Sequence, residues 1–201
     1  MVYSEHFQFE RLKIIKKKIT QRRIQSPPFF VYNQTVFKNP LTQKICDFLT
    51  EIGLQVESAE IADQTFLPGI LIKNGTILVD ETNLKYVGDL LHEAGHLAVA
   101  PAHLRSRLSD EVELPEFNMA TIESAAMLWS YAAALHLEID PRIVFHSEGY
   151  KGNAEGILFT FNQGVFFGAN ILTDAEMTAI GEKALKLNVP PFPFMLKWTR
   201  D

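Results

Sequence analysis

Ile70-Leu71-Ile72-Lys73-Asn74-Gly75-Thr76-Ile77-Leu78-Val79 and, a short way on, Leu91-His92-Glu93-Ala94-Gly95-His96-Leu97 decide how this chain is read. Asn-Gly between two β-branched apolar runs signals a two-residue hairpin, because both turn positions need a positive φ. The second stretch reads as part of a helix capped by Asp80 or Thr82. That helix carries Leu84, Val87, Leu90, Leu91 and Ala94 and ends near Ala100, where Pro101 stops it. A hairpin feeding a helix predicts an α+β fold, a small sheet packed against helices.

His92-Glu93-Ala94-Gly95-His96 is an H-E-x-x-H sequence. On a helix, positions i and i+4 share a face, so both imidazoles reach one ion. Zinc takes neutral imidazole nitrogens, a third protein ligand and an open position holding water. Glu93, one residue round the helix, is placed to take a proton from a zinc-bound water and hand it on, the general-base role in metal-assisted hydrolysis. At this composition the pattern arises by chance about 0.02 times per chain, so coincidence is the weaker explanation. Gly95 costs about 1 kcal/mol against alanine in a helix interior, which marks either close packing or a site that needs room.

The third ligand must come from elsewhere. An H-E-x-x-H-x-x-G-x-x-H pattern needs glycine at 99 and histidine at 102; Val99, Pro101 and Ala102 disfavour it, and with it His103. Glu123 is preferred. It opens Ile122-Glu123-Ser124-Ala125-Ala126 on the next long helix, predicted over about 119–137. An acid among small residues on a largely apolar helix needs a partner or a metal. The acids Asp110, Glu111, Glu113 and Glu116, in a polar loop predicted over 101–118, are runners-up that solvation explains as well. Asp89 is placed either to orient an imidazole or to form a surface salt bridge. His136, His146 and Tyr150 are candidates to stabilise an oxyanion, against plainer roles as buried or capping residues. Trp129 and Tyr131 read as core.

Outward from this centre, Asn39-Pro40 opens a helix with a cap residue and proline at the first position. Leu41, Ile45, Phe48, Leu49 and Ile52 form its stripe, and Gly53 stops it. Cys46 lies inside it as a small core residue. Residues 54–60 read as a short strand, and Asp140-Pro141 as a turn. Residues 142–170 give weak, mixed signals. Thr173-Asp174-Ala175-Glu176 reads as a capping box for a last helix to about Leu187, and Val189 to Pro193 as an extended tail. Residues 7–25 read as a basic, partly amphipathic helix ended by Ser26-Pro27-Pro28. The domain reading is therefore a basic N-terminal helix, 1–25, and a single domain, 26–201.

The chain has 201 residues, 47% of them hydrophobic, and a formal net charge of −5, as in an ordinary globular protein. Residues 1–25 carry +5 and the remainder −10, and an acidic body argues against nucleic acid as the main partner. A single cysteine excludes an internal disulfide framework and a structural zinc site built on several thiolates. No apolar stretch approaches the roughly 20 residues of a membrane span, and the first ten residues lack a signal-peptide core. A soluble cytoplasmic protein is expected, with oligomeric state left open.

The Asn-Gly hairpin, the H-E-x-x-H helix and the second helix opening with Glu123-Ser124-Ala125-Ala126 resemble the zincin-like metallopeptidases of the ImmA/IrrE type over about residues 68–135. The resemblance implies a zinc-dependent peptidase, with His92, His96 and Glu123 as ligands, Glu93 as base, and a protein or peptide as substrate. The chain departs from that pattern in the 101–118 loop, the basic N-terminal segment and residues 142–201. Leu91 to Ala100 is also similar, locally, to the motif helix of membrane-bound AAA zinc proteases. That likeness points to Asp174 as third ligand, although the chain has neither their phosphate-binding loop nor an anchor. The rival reading is a non-catalytic zincin-like domain acting as a protein-interaction or regulatory module. A metal-free scaffold docking through its basic N-terminal helix is a further one.

Overall fold

A computed structural model of the chain describes residues 36–62, 65–110 and 114–201. The basic segment 1–25 and the acids Glu111 and Glu113 lie outside the described residues. Contacts group Thr35–Asp201 into one compact unit. This unit is α+β, with a small mixed sheet and several helices.

The first helix, α1 (Pro40–Glu51), forms as its sequence predicts. The Asn39 side chain accepts hydrogen bonds from the backbone N–H of Leu41 and Thr42, and Pro40 takes the first helical position. Ile45, Cys46, Phe48 and Leu49 are buried. Burial pushes the Cys46 thiol up to about 12, with Asp47 and Glu81 adding repulsion, so it is an inert core residue.

Three strands follow: β1 (Gln55–Ser58), β2 (Ile70–Lys73) and β3 (Thr76–Val79). β2 and β3 pair antiparallel in the register Lys73↔Thr76, with Asn74 at φ 50° and Gly75 at φ 74° in the predicted turn. β1 pairs parallel to β3, so the sheet order is β1-β3-β2. Ile70, Ile72, Ile77 and Val79 face one core with Ile45, Leu49, Leu90, Leu97, Leu128 and Trp129.

The site helix, α2, spans Asp89–Val99 and is shorter than predicted. Asp80 caps no helix. Its carboxylate gathers the N–H groups of Ile61, Thr82 and Asn83 and the Asn83 amide, organising turns that carry residues 80–88 to the helix start. Asx chemistry of this kind serves a turn as readily as a helix cap, which is why the sequence signal misplaces the start.

The described residues of the 101–118 stretch, 101–110 and 114–118, are more ordered than a polar loop. They hold a short helix, α3 (Ala102–Arg105), and line the free edge of β2. Asp110 N–H donates to Ile72 O at 3.0 Å, and Ile72 N–H to Asp110 Oδ2 at 2.9 Å. A 3-10 turn (Met119–Ile122) leads into α4 (Glu123–His136), which buries Trp129 and Tyr131 as expected.

Beyond it come 3-10 turns at Pro141–Ile143 and Tyr150–Gly152, then α5 (Ala154–Asn162), α6 (Ala169–Asp174) and α7 (Gly181–Leu187). The capping-box reading at Thr173 fails. Asp174 closes α6, and the last helix starts eight residues later than the box, at Gly181 after Ile180. The tail from Val189 to Pro193 lies on the body as predicted, Phe192 N–H bonding Ala179 O, but it turns rather than runs extended, with Phe194 N–H on Pro191 O; further on, Trp198 O accepts from Trp129 Nε1 and Arg200 N–H bonds Ala98 O.

Candidate metal centre

The two helices that carry the motif pack on one another through small residues. Ala94, Gly95 and Ala98 of α2 and Ala125 and Ala126 of α4 are buried. A Cβ at Gly95 would stand 2.7 Å from the Ala126 carbonyl oxygen, nearer than atoms tolerate. The glycine is therefore what lets α4 approach closely enough for its first residue, Glu123, to reach the histidines.

Glu123 does reach them. His96 Nε2 lies 3.1 Å from Glu123 Oε2, His92 Nε2 lies 3.5 Å from Oε1, and the two Nε2 atoms are 3.2 Å apart. Each histidine thus meets a different oxygen of the carboxylate, and one ligand atom from each of the three residues lies within 4.8 Å of the others. His92, His96 and Glu123 therefore form a group that could hold a metal ion, and among the described residues no fourth His, Cys, Asp or Glu joins it.

Electrostatics follow from the crowding. Burial, then the charge of His96, pushes His92 down to about 4. Burial is also the largest influence on His96 and lowers it, but the hydrogen bond to Glu123 and the charges of Glu93, Glu123 and Asp110 together outweigh it, so His96 rises. The same bond holds the Glu123 carboxyl below its ordinary range. The shared bond thus favours the charged forms of His96 and Glu123, while burial favours the neutral form of His92.

Glu93 shares a cleft of about 370 Å³ with His96, Glu123, Asp110, Phe66, Leu67, Ile70, Met119 and Ala120. Burial, against the opposing charge of His96, raises its carboxyl to about 7. The Glu123 side chain is 45% exposed, so the group opens on one side to solvent.

Of the remaining candidates, Tyr150 lies against His92, on the ring nitrogen turned away from Glu123, and most of the others fall elsewhere. Asp89 does orient an imidazole, but it is that of His146, with Oδ1 3.0 Å from Nε2 and the ring stacked on Tyr86 at 3.8 Å. His136 packs among Phe48 and Trp198. Glu116 pairs with Arg107, His103 is exposed on α3, and Asp174 stands outside the metal-competent group. Asp110 reaches the cleft but spends an oxygen on the β2 edge. Sequence reasoning gave no role in the cleft to Phe66, from an irregular segment with no periodicity to mark it, or to Met119, which opens the 3-10 turn before Glu123.

No protein-family model matches the chain, and no curated protein and no solved structure matches it either.

Proposed function

We propose that the chain is a zinc-dependent metallopeptidase of the zincin type, hydrolysing peptide bonds in a protein or peptide substrate. The observation that carries this reading is the convergence of His92 Nε2, His96 Nε2 and the Glu123 carboxylate, close enough to share one ion, beside an open cleft that also holds Glu93. Two imidazoles and a carboxylate suit zinc, and three protein ligands with solvent access suit a catalytic rather than a closed structural site.

Bound zinc supplies Lewis-acid polarisation of a carbonyl and acidifies water. The chain's residues do the rest. His92, His96 and Glu123 hold the ion, and Glu93 accepts the proton of the attacking water and passes it to the leaving amine. Leu67, Ile70 and Met119 give the cleft an apolar wall for substrate side chains. The test is hydrolysis of a mixed peptide pool by the zinc-loaded protein. Cleavage that disappears on chelation and in Glu93→Gln supports the reading, and no cleavage of any peptide by fully loaded protein contradicts it.

A further inference from the structure

The segment that follows α4 returns across the start of the site helix. There the Ile143 carbonyl presses on Gly88, where a Cβ would stand only 1.9 Å from its oxygen, and His146 meets Asp89. Two turns later the same segment delivers Tyr150, whose hydroxyl lies 3.3 Å from Nδ1 of His92. Nδ1 is the ring nitrogen turned away from His96 and Glu123, both of which face Nε2.

Several features hold Tyr150 in this place. Its ring meets that of His92 edge-on, with centroids 5.6 Å apart at 88°, and stacks on Phe145 at 5.0 Å. Its backbone sits at φ 53°, with Lys151 at φ 55° beside it, a conformation that non-glycine residues adopt only where surrounding contacts enforce it.

We propose that Tyr150 is a positioning residue of the metal centre: its hydroxyl oxygen accepts the Nδ1–H of His92, fixing the tautomer that leaves the Nε2 lone pair facing His96 and Glu123. Histidine ligands depend on such a partner for tautomer and ring orientation, and its loss weakens metal affinity by about 10- to 100-fold. The contrast with His96 is informative. Its Nδ1 is buried with no hydrogen-bond partner, so of the two imidazoles that of His92 is the one with a partner on the nitrogen turned away from Glu123. The proposal rests on the metal-centre reading above, and its test separates the two.

The experiment compares full-length wild type, Tyr150→Phe, Glu123→Ala and the control Tyr131→Phe. Ring ¹⁵N shifts of His92 in metal-free protein report the tautomer with no ion present. Zn²⁺ affinity, by competition with a chelator, and the visible bands of the Co²⁺-loaded protein report the ligand geometry. The expected result is Nδ1-protonated His92 in wild type and a shift toward the Nε2–H tautomer in Tyr150→Phe. That variant should also bind Zn²⁺ about 10-fold more weakly or worse and show altered Co²⁺ bands. Its metal-free melting should be unchanged, and Tyr131→Phe should behave as wild type. A His92 protonated on Nε2 in wild type overturns the proposal, as does a tautomer and Zn²⁺ affinity unchanged in Tyr150→Phe. If wild type and Glu123→Ala bind Zn²⁺ equally poorly, the metal reading fails, and the tautomer comparison still decides whether Tyr150 orients His92.

Discussion

Glu93 and Glu123 are both acids beside the same two histidines, and their surroundings assign them opposite work. Glu123 accepts a hydrogen bond from His96 and stays ionised, as a ligand must. Glu93 is raised toward neutrality by burial, which suits a group that takes up and releases a proton. Replacing Glu93 by glutamine keeps the shape and removes the base. The expected outcome is metal content equal to wild type with peptide hydrolysis lowered by about 10²- to 10⁴-fold, read from elemental analysis and initial rates on one preparation. His92 and His96 were legible as a pair because i, i+4 spacing on a helix puts both rings on one face. Glu123 was legible because an acid in a small-residue helix start is out of place without a partner. Tyr150 carried no such mark. It joins His92 from a loop 58 residues away, through a backbone conformation that no pattern announces.

Elements whose signals rest on local stereochemistry form where the sequence places them. The Asn74-Gly75 turn and the Asn39-Pro40 helix start are examples, since each is decided within a few residues. Asp80 and Thr173 mislead because a capping side chain also builds turns, and only tertiary contacts choose between the two. Asp80 supports a prediction at this scale. Its bonds from Ile61 N–H and the Asn83 side chain hold its pKa below the ordinary 3.8. A carboxyl depressed in the folded state contributes stability above its unfolded pKa and loses it as pH falls through the folded value. Asp80→Asn should therefore be less stable than wild type at neutral pH, and the gap should close progressively below pH 3.8 in urea titrations run across an acid series. Gly95 supports another. Alanine there gains about 1 kcal/mol of helix propensity but drives a Cβ into the Ala126 carbonyl. Overpacking of this kind costs about 1–3 kcal/mol, so Gly95→Ala should be net destabilising by urea denaturation, contrary to the propensity rule.

Across the described unit, the centre is held from both sides. In front, α4 and the segment around Tyr150 converge on His92 and His96. Behind, the tail closes the far end of α2: Arg105 donates to Leu97 O and Ala100 O at the helix terminus and to Arg200 O of the tail, and Arg200 N–H bonds Ala98 O. Arg105→Ala leaves those carbonyls unmatched and should lower unfolding stability by about 2 kcal/mol in urea titrations, and loosen the helix end nearest the tail. Composition anticipated a chain able to bury one core, and the α+β class followed from the hairpin and helix. The course of residues 142–201 did not follow, because aromatic contacts such as Tyr131 with Phe161 and Phe166 with Phe192 depend on the whole chain's path. Among the described residues no helix is long and apolar enough to cross a membrane. The most direct measurement is the metal content of purified wild type beside His96→Ala and Glu123→Ala. About one zinc ion per chain, lost in both variants, is the predicted result; wild type empty even after reconstitution, or variants that keep the metal, would contradict the account.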